Sequence, residues 1–475
     1  MHVRMRTSLG LLWIAACRPG GDAPSAETGP PAVETAASES ESEPDERPLV
    51  VVLWATDTLS ARAALDGGLC GTFQAAAAGI GEVACLPGAV SPATSTSYTH
   101  ARLLWPTHRL GLERRYSRPD CVAPSVLGVV ASALHASITW GSDNPTFEAY
   151  PTVCDGVTTP WSWEADEPFL YDGATVLSVE EAQRPGRLAI EAVLDHARRG
   201  EPVVAYVNDY EVGGHMPRCW YDPEFPACAE LFALAVASGV YPADGVARDF
   251  WLDNAAFDDL IEVVDGQSAA DAAVSRALMY DTIVRQVEHY GATRTGPRFA
   301  TLIQGLADAG VADRSLVVVF GDHGETPCVR HPLDGVLRCQ HGSMPTEWTA
   351  QVPVAVYPAS AASAWESAGL VASDGAPWST TNLAYALVSA VGGERPSDWP
   401  APEPIGRATS WVCGNDAGAL FVSGSAAVSC TASGCGTYGW ALPDGPDAVT
   451  VPVSPTPPEL LPYTDGAWLS EACAL

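Results

Sequence analysis

The chain has 475 residues, of which 57 are acidic and 25 are basic, so its formal charge is 25 − 57 = −32. A field of that sign repels phosphate backbones and anionic lipid, which argues against nucleic acid as a partner. The hydrophobic fraction of 47% is enough to build a packed core. Every basic residue is an arginine, so Schiff-base enzymes and lysine-containing phosphate loops are excluded.

Residues 1–17 have the pattern of a bacterial lipoprotein signal peptide. Two arginines precede a short apolar run that cannot span a bilayer, and Ile14-Ala15-Ala16-Cys17 resembles a lipobox, with Cys17 as the lipidated residue. Residues 18–47 are rich in Pro, Gly, Ser and Glu without apolar periodicity, which predicts a disordered acidic tether. We therefore expect an exported protein on the periplasmic or cell-surface face of a bacterial membrane, touching that membrane only through its lipid anchor. The alternative is an ordinary buried N-terminal segment.

The cysteines agree with export. Removing Cys17 from the 13 cysteines leaves an even set of 12, which in an exported chain favours disulfides. No Cys-x-x-Cys spacing occurs, so a zinc ribbon is disfavoured. Proximity along the chain suggests the pairs Cys70–Cys85, Cys219–Cys228, Cys328–Cys339 and Cys430–Cys435. Cys121–Cys154 and Cys413–Cys473 would complete six bridges, and the sequence leaves other connectivities open.

The folded part is predicted to be α/β. Continuous apolar runs, typical of strands buried on both faces, occur at residues 48–54, 202–207, 315–320 and 352–357. Helical patterns lie between them, so we expect a three-layer α/β/α domain with a mostly parallel central sheet. From residue 405 the pattern changes to short β-type runs at 419–422 and 427–430 and then a Pro-rich tail. This predicts a small disulfide-stapled β subdomain at 405–475.

Acidic residues and histidines follow three of the predicted strands. Because ligands of such sheets bind beyond the carboxyl ends of the strands, these positions are candidates for a site. A single aspartate there is usually a turn or helix-cap residue, but three such strand ends, two with histidine, indicate metal-ligand chemistry. The residues are Asp57 after the first strand, Asp209, Glu211 and His215 after the second, and Asp322 and His323 after the third.

These motifs resemble those of the sulfatase and alkaline phosphatase superfamily. Asp322-His323-Gly324-Glu325, the later His341-Gly342 and the Val352-Pro353 strand are similar to its second half. Asp57-Thr58-Leu59, with the hydroxyl-rich stretch that starts at Ser91, is similar to its first half. The resemblance implies an alkaline phosphatase-like catalytic domain at 48–404, with an insert at about 228–266, that acts on a small anionic ester.

The resemblance also implies the roles of the candidate residues. Asp57, Asp322 and His323 would bind a divalent cation. We expect zinc, with calcium or manganese as alternatives and one or two ions in total. His215 and His341 would approach from the opposite side, to bind a second ion or the leaving oxygen. Asp209, Glu211 and His100 are further candidates for the site.

Two alignments with family motifs select Thr96 as the nucleophile and a further metal ligand. In the Cys-x-Pro-Ser-Arg motif of sulfatases the nucleophile lies four residues before the arginine, whose place is taken here by His100. The Thr-x-Thr-x-x-Ser motif of phosphoethanolamine transferases, matched to residues 94–99, gives the same residue. Ser95 and Ser97 are alternatives, as is a purely helix-capping role for these hydroxyls.

Departures from the sulfatase motif indicate the reaction class. A formylglycine sulfatase needs Cys or Ser at the nucleophile position, the following arginine and active-site lysines, whereas this chain has Thr96, His100 and no lysine. We therefore expect a hydrolase or transferase acting on a phosphate mono- or diester through a metal-activated threonine. The alternatives are a sulfate-ester hydrolase of the same superfamily and a non-catalytic binding lipoprotein on this fold.

Overall fold

The computed structural model describes the following parts of the chain: residues 47–106, 125–142, 159–161, 184–209, 225–252, 254–330, 337–340, 345–412, 418–431, 434–441 and 453–464. The predicted signal peptide, Cys17 and residues 18–46 of the predicted tether lie outside them, so these remain predictions. The described residues, all from 47 onward, belong to one compact unit.

Fifteen strands are defined within the described residues. They are β1 Val50–Thr56, β2 Ala84–Leu86, β3 Ala89–Val90, β4 Ser137–Ser142, β5 Thr159–Trp161, β6 Val203–Asp209, β7 Ser315–Gly321, β8 Thr326–Arg330, β9 Leu337–Gln340, β10 Val354–Tyr357, β11 Trp378–Ser379, β12 Arg407–Val412, β13 Gly418–Ser423, β14 Ala426–Thr431 and β15 Gly434–Gly439.

The helices of the described residues separate these strands. They are α1 Ala61–Asp66, α2 Leu69–Ala77, α3 Thr96–Leu104, α4 Val126–Leu134, α5 Arg184–Arg199, α6 Pro226–Ala237, α7 Ala247–Leu252, α8 Asn254–Gly266, α9 Ala269–Tyr290, α10 Gly296–Asp308, α11 Glu347–Ala350, α12 Ala359–Ser367 and α13 Asn382–Ala390, with a π-helical turn at Gly291–Thr295 and 3-10 turns at Ala312–Arg314 and Pro458–Tyr463. None of these helices is both long and apolar enough to cross a bilayer.

The central sheet has seven strands in the order β2-β10-β7-β1-β6-β4-β5. The four apolar runs of the sequence form β1, β6, β7 and β10, and the pairs that β1 makes with β6 and β7 are parallel, as predicted. Strand β10 differs, because it runs antiparallel to both β7 and β2. A parallel pairing of β7 and β10 would need a crossover back to the start of β7. Within the described residues, the chain between them has only the short strands β8 and β9 and the four-residue helix α11.

Helices cover both faces of this sheet, which confirms the three-layer α/β/α prediction. On one face, Val51 and Leu53 of β1 belong to the same buried cluster as residues of α3, α4 and α13. On the other face, Val50, Val52 and Trp54 pack in a cluster with residues of α2, α5 and α10. Burial of both faces explains why β1 is a continuous apolar run rather than an alternating one.

A second sheet of six strands contains the C-terminal part of the chain, in the order β15-β14-β13-β12-β11-β3. The predicted runs at 419–422 and 427–430 form β13 and β14. Strands β3 and β11 come from the predicted catalytic domain, and each is two residues long. The C-terminal strands are therefore joined to the catalytic domain by backbone hydrogen bonds through β11 and β3.

The predicted insert at 228–266 forms helices α6, α7 and α8, which pack with α9 around a small core. Its centre includes Leu231, Phe250, Leu260 and Met279, all with 0% exposure. Because this core is a cluster separate from the two layers beside the central sheet, the insert adds a helical subdomain without changing the sheet.

Two of the predicted disulfides are present. Cys70–Cys85 joins α2 to β2, and Cys430–Cys435 joins the neighbouring strands β14 and β15. Cys228 is also disulfide-bonded. The other four pairings involve cysteine side chains outside the described part of the chain, so they remain predictions.

A buried glutamate next to the second sheet gives a prediction about pH and stability. Burial raises the pKa of Glu347, the first residue of α11, to about 7. An unfolded glutamate titrates near pH 4.5, so as pH rises from about 4.5 to 7 the unfolded chain loses this proton before the folded protein does. The folded protein should lose about 3 kcal/mol of stability across this window on account of Glu347.

We therefore expect Glu347→Gln to be more stable than the wild type at pH 8 and to differ little from it below pH 4.5. Denaturant unfolding at a series of pH values measures this difference. Glu262→Gln, at an exposed position of α8, is the matched control and should leave the pH profile unchanged. Parallel pH profiles for wild type and Glu347→Gln would contradict the prediction.

Candidate active site

The carboxyl ends of three central strands meet at one edge of the sheet. Thr56, the last residue of β1, lies opposite Asp209 of β6 on one side and opposite Gly321 of β7 on the other. The backbone continues this alignment, because the Asp57 N–H donates to the Asp209 carbonyl and the Asp322 N–H donates to the Thr56 carbonyl. The register therefore brings the residues after β1 and β7 together.

Asp57, Asp322 and His323 form a buried cluster at this edge. Each offers one ligand atom, and these atoms all lie within 4.8 Å of one another. His323 Nε2 is 3.8 Å from Asp57 Oδ1 and 3.6 Å from Asp322 Oδ2. Two carboxylates and one imidazole at this spacing match the mixed oxygen and nitrogen ligand set predicted for a divalent cation.

The two oxygens of Asp322 have different environments. Oδ1 accepts from the backbone N–H groups of Thr58 at 2.8 Å and His323 at 2.7 Å. Oδ2 is buried and has no hydrogen-bond partner among the described residues. Burial acts to raise the pKa of Asp322, but its interactions with His323, His100 and the Thr58 N–H outweigh this and hold the pKa below the ordinary value. A buried carboxylate oxygen that stays anionic, with the imidazole nitrogens of His100 and His323 no closer than 3.5 Å and 3.6 Å, suits a cation ligand.

Thr96 lies at the first position of helix α3, beside the same cluster. Its Oγ1 is 3.2 Å from Asp57 Oδ1 and 3.0 Å from His323 Nε2. The helix begins after Ser95, whose side chain makes no capping hydrogen bond to α3. The predicted nucleophile therefore sits among the predicted ligands, and the partial positive charge of the helix N-terminus favours an anion there.

Other hydroxyls of the Ser91–Thr99 stretch support the turn before α3. Ser91 Oγ donates to the Ala93 carbonyl at 2.7 Å and contacts Thr99 Oγ1 at 3.1 Å. Thr99 Oγ1 also lies 3.1 Å from the Ala93 carbonyl, and Ser91 Oγ contacts the backbone carbonyl of Asp322. These contacts tie the helix that carries Thr96 to the strand end that carries Asp322.

Asp209 lies at the same sheet edge, but its carboxylate is engaged elsewhere. Oδ2 accepts from Thr295 Oγ1 at 2.8 Å and is 3.6 Å from Arg298 Nη1, both near the start of α10. Alternation along β6 places Asp209 on the face that packs against α10, with Val203, Ala205 and Val207. The structure therefore does not bring Asp209 into the cluster with Asp57 and Asp322.

The remaining candidates divide into two groups. His100, on α3, lies next to the cluster, with Nε2 3.5 Å from Asp322 Oδ2. Glu211, His215 and His341 lie outside the described residues, so their roles stay predictions.

Two residues near the cluster have roles that the sequence did not indicate. Thr58 adopts a left-handed backbone conformation with φ 53°, which turns the chain sharply after Asp57. This turn aims the Thr58 N–H at Asp322. Tyr206 reaches His100 from β6. Thr58 belongs to the Asp57-Thr58-Leu59 motif, but the motif does not indicate that its backbone N–H contacts Asp322, and a tyrosine within an apolar strand is common.

Gly324 leaves no room for a side chain. A Cβ at this position would lie 1.9 Å from the carbonyl oxygen of Trp348 and 2.9 Å from the Ser60 Cβ. Gly324→Ala would therefore push this backbone apart next to Asp322 and His323. We expect it to cost at least about 2 kcal/mol of stability and to weaken metal binding.

Thermal unfolding and zinc titration of Gly324→Ala measure both effects. Gly71→Ala is the control, because a Cβ at this site in α2 meets nothing within 4 Å. Gly71→Ala should gain up to about 1 kcal/mol from improved helix propensity. A Gly324→Ala protein as stable as the wild type and with the same zinc affinity would show that neither property requires the close approach of Gly324 to the Trp348 carbonyl.

The fold is shared with solved structures whose sequences are only distantly similar to this one. The structure is similar to phosphonate monoester hydrolase SpPMH from Silicibacter pomeroyi, with 14% identity, coverage of 86% of this chain and 91% of that chain, and a TM-score of 0.50. It is also similar to BT4656, solved with its substrate D-glucosamine-2-N,6-O-disulfate, with 13% identity, coverage of 83% and 91%, and a TM-score of 0.51. A candidate sulfatase from Bacteroides thetaiotaomicron gives 11% identity, coverage of 83% and 85%, and a TM-score of 0.51.

No protein-family model and no curated protein matches the sequence. The likeness to solved structures therefore carries the assignment of the fold, and the motifs around Asp57 and Asp322 agree with it. The chain has the fold of the sulfatase and alkaline phosphatase superfamily.

Proposed function

We propose that the protein is a divalent-metal-dependent hydrolase or transferase of phosphate mono- or diesters, with Thr96 as its nucleophile. The observation that carries this proposal is the position of Thr96 Oγ1, which lies 3.2 Å from Asp57 and 3.0 Å from His323 at a helix N-terminus. A purely helix-capping role would not explain why this hydroxyl lies beside two candidate metal ligands.

Asp57, Asp322 and His323 would hold the cation, and we propose zinc because the set mixes oxygen and nitrogen ligands. The residues fit such an ion, since Asp322 Oδ2 is buried and has no hydrogen-bond partner in the described structure. When bound, a divalent cation supplies positive charge that lowers the pKa of a neighbouring hydroxyl and polarises an ester oxygen.

The reaction would proceed in two displacements. In the first, Thr96 Oγ1 forms a bond to phosphorus while the bond between phosphorus and the ester oxygen breaks. The threonine proton passes to water, and the leaving oxygen takes a proton from solvent. In the second, water attacks the phosphothreonine, the bond between phosphorus and Oγ1 breaks, and the hydroxyl is restored. An acceptor alcohol in place of water would give transfer instead of hydrolysis.

We further propose that the protein is exported and anchored through Cys17. The Cys70–Cys85 and Cys430–Cys435 disulfides support export, because disulfides persist in oxidising compartments. Mass spectrometry of the mature protein from a bacterial host would test this: a diacylated or triacylated N-terminal cysteine at position 17 is expected.

A panel of esters tests the reaction class. Phosphate monoesters, phosphate diesters and sulfate esters with the same chromogenic leaving group should be compared, with zinc, manganese and calcium added in turn to chelator-treated protein. We expect turnover of phosphate esters and loss of that turnover after chelation. Turnover of sulfate esters alone would move the assignment to a sulfatase, and no turnover of any ester by metal-loaded protein would favour a binding role.

A further inference from the structure

A buried chain of three side chains leads from strand β6 to the metal-ligand candidate Asp322. The hydroxyl of Tyr206 lies 2.8 Å from His100 Nδ1, and His100 Nε2 lies 3.5 Å from Asp322 Oδ2. All three residues are at most 1% exposed. The His100 and Tyr206 rings meet edge to face with their centroids 5.5 Å apart, and Trp140 stacks on Tyr206 with a centroid distance of 4.2 Å. The position of His100 is thus fixed by packing as well as by polar contacts.

The order of donors along this chain follows from its chemistry. Burial, and after it the negative charges of Asp322 and Asp57, raise the pKa of Tyr206 well above its ordinary value, so the phenol keeps its proton. The phenol is 2.8 Å from Nδ1 and 3.2 Å from Nε2 of His100. Because Nε2 also faces a carboxylate, Nδ1 is the nitrogen suited to accept from the phenol. A neutral imidazole that accepts at Nδ1 carries its proton on Nε2, directed at Asp322 Oδ2.

Of the two carboxylate oxygens of Asp322, only Oδ2 lacks a group that fixes its position. Backbone N–H groups already fix Oδ1, whereas Oδ2 has no hydrogen-bond partner among the described residues and lies 3.5 Å from His100. Partners in this position orient metal-binding carboxylates and tune their affinity.

We propose that His100 and Tyr206 are positioning residues for Asp322: Tyr206 sets the tautomer of His100, and the Nε2–H of His100 orients Oδ2 toward the cation. This proposal rests on the proposed metal-dependent function. It assigns to His100 a contact with the carboxylate of a metal ligand rather than a place among the ligands.

Zinc affinity of apo protein, measured by competition with a chromophoric chelator at fixed pH, tests the proposal. We expect His100→Leu to weaken zinc binding about 10- to 100-fold, and His100→Gln, which retains an N–H donor, to recover part of that loss. Tyr206→Phe should weaken binding less than His100→Leu, because it acts through His100. Tyr385→Phe is the matched control, since it also removes a buried tyrosine hydroxyl that donates at 2.8 Å, here to the Pro400 carbonyl.

The double variant separates positioning from general destabilisation. If Tyr206 acts through His100, adding Tyr206→Phe to His100→Leu should cause no further loss of zinc affinity. An additional loss equal to that of Tyr206→Phe alone would overturn the proposal, as would wild-type zinc affinity in folded His100→Leu or in Tyr206→Phe. Failure of the wild type itself to bind any divalent ion would instead contradict the proposed function.

Discussion

Thr96→Ala is expected to reduce kcat/KM for phosphate esters by about 10⁴- to 10⁶-fold, the range seen when a nucleophile that works as one unit with its activating groups is removed. The change deletes the one hydroxyl that lies within 3.2 Å of both Asp57 and His323 in the described structure. Fold and zinc content should remain close to wild type, because the two aspartates and the histidine are unchanged. Steady-state kinetics, far-UV circular dichroism and elemental analysis measure these three properties.

Two further variants serve as controls for Thr96→Ala. Thr96→Ser keeps the hydroxyl and should retain measurable turnover. Thr99→Ala removes a hydroxyl one turn later on α3 that contacts Ser91 and Ala93, so it should affect stability more than turnover. A Thr96→Ala protein as active as the wild type would reject Thr96 as the nucleophile and direct attention to Ser95 and Ser97.

Asp322→Asn is expected to weaken zinc binding by more than about 100-fold, which corresponds to about 2.7 kcal/mol of binding free energy. Asparagine can still accept at Oδ1 from the Thr58 and His323 N–H groups, so the local backbone should persist. What is lost is the negative charge and the carboxylate oxygen Oδ2 that would bind the cation. Isothermal titration with zinc measures the affinity directly. Zinc should also raise the Tm of the wild type and leave that of Asp322→Asn nearly unchanged, because a ligand stabilises only the folded state that binds it.

Asp209→Asn is the matched control for this substitution. Asp209 is also fully buried at the same sheet edge, but its carboxylate contacts Thr295 and Arg298. We expect Asp209→Asn to lower the Tm with little change in zinc affinity. If Asp209→Asn lost zinc as completely as Asp322→Asn, Asp209 would have to be counted among the ligands and the cluster described here would be incomplete.

The central strands and the residues that follow them could be predicted from the sequence. Strand β1 is buried on both faces, so it forms an unbroken apolar run whose end marks the position of Asp57. The same holds for β7 and the Asp322-His323 pair. In parallel strands the carboxyl ends share an edge, so the approach of Asp57 to Asp322 follows from topology alone.

Other features of the fold and of the candidate site depend on tertiary structure and have no local signal in the sequence. Strands β3 and β11 have two residues each, too few for any periodicity, so the attachment of the C-terminal strands to the catalytic domain had no local signal. Asp209 stands at the carboxyl end of a buried strand, close to where Asp57 stands after its own, and only alternation along β6 and the position of α10 show that its carboxylate faces Arg298. Tyr206 is the one aromatic residue in the apolar run of β6, and its role depends on which helix covers that face.

Rapid-quench mass spectrometry of the protein during turnover of a phosphate ester tests the central claim most directly. Since the chain contains no lysine, trypsin releases residues 63–102 as one peptide that contains Thr96. We predict one phosphoryl group on that peptide, located at Thr96, that appears during turnover and is absent from Thr96→Ala. A phosphoryl group at Ser95 or Ser97, or turnover with no phosphorylated peptide at any quench time, would contradict the account.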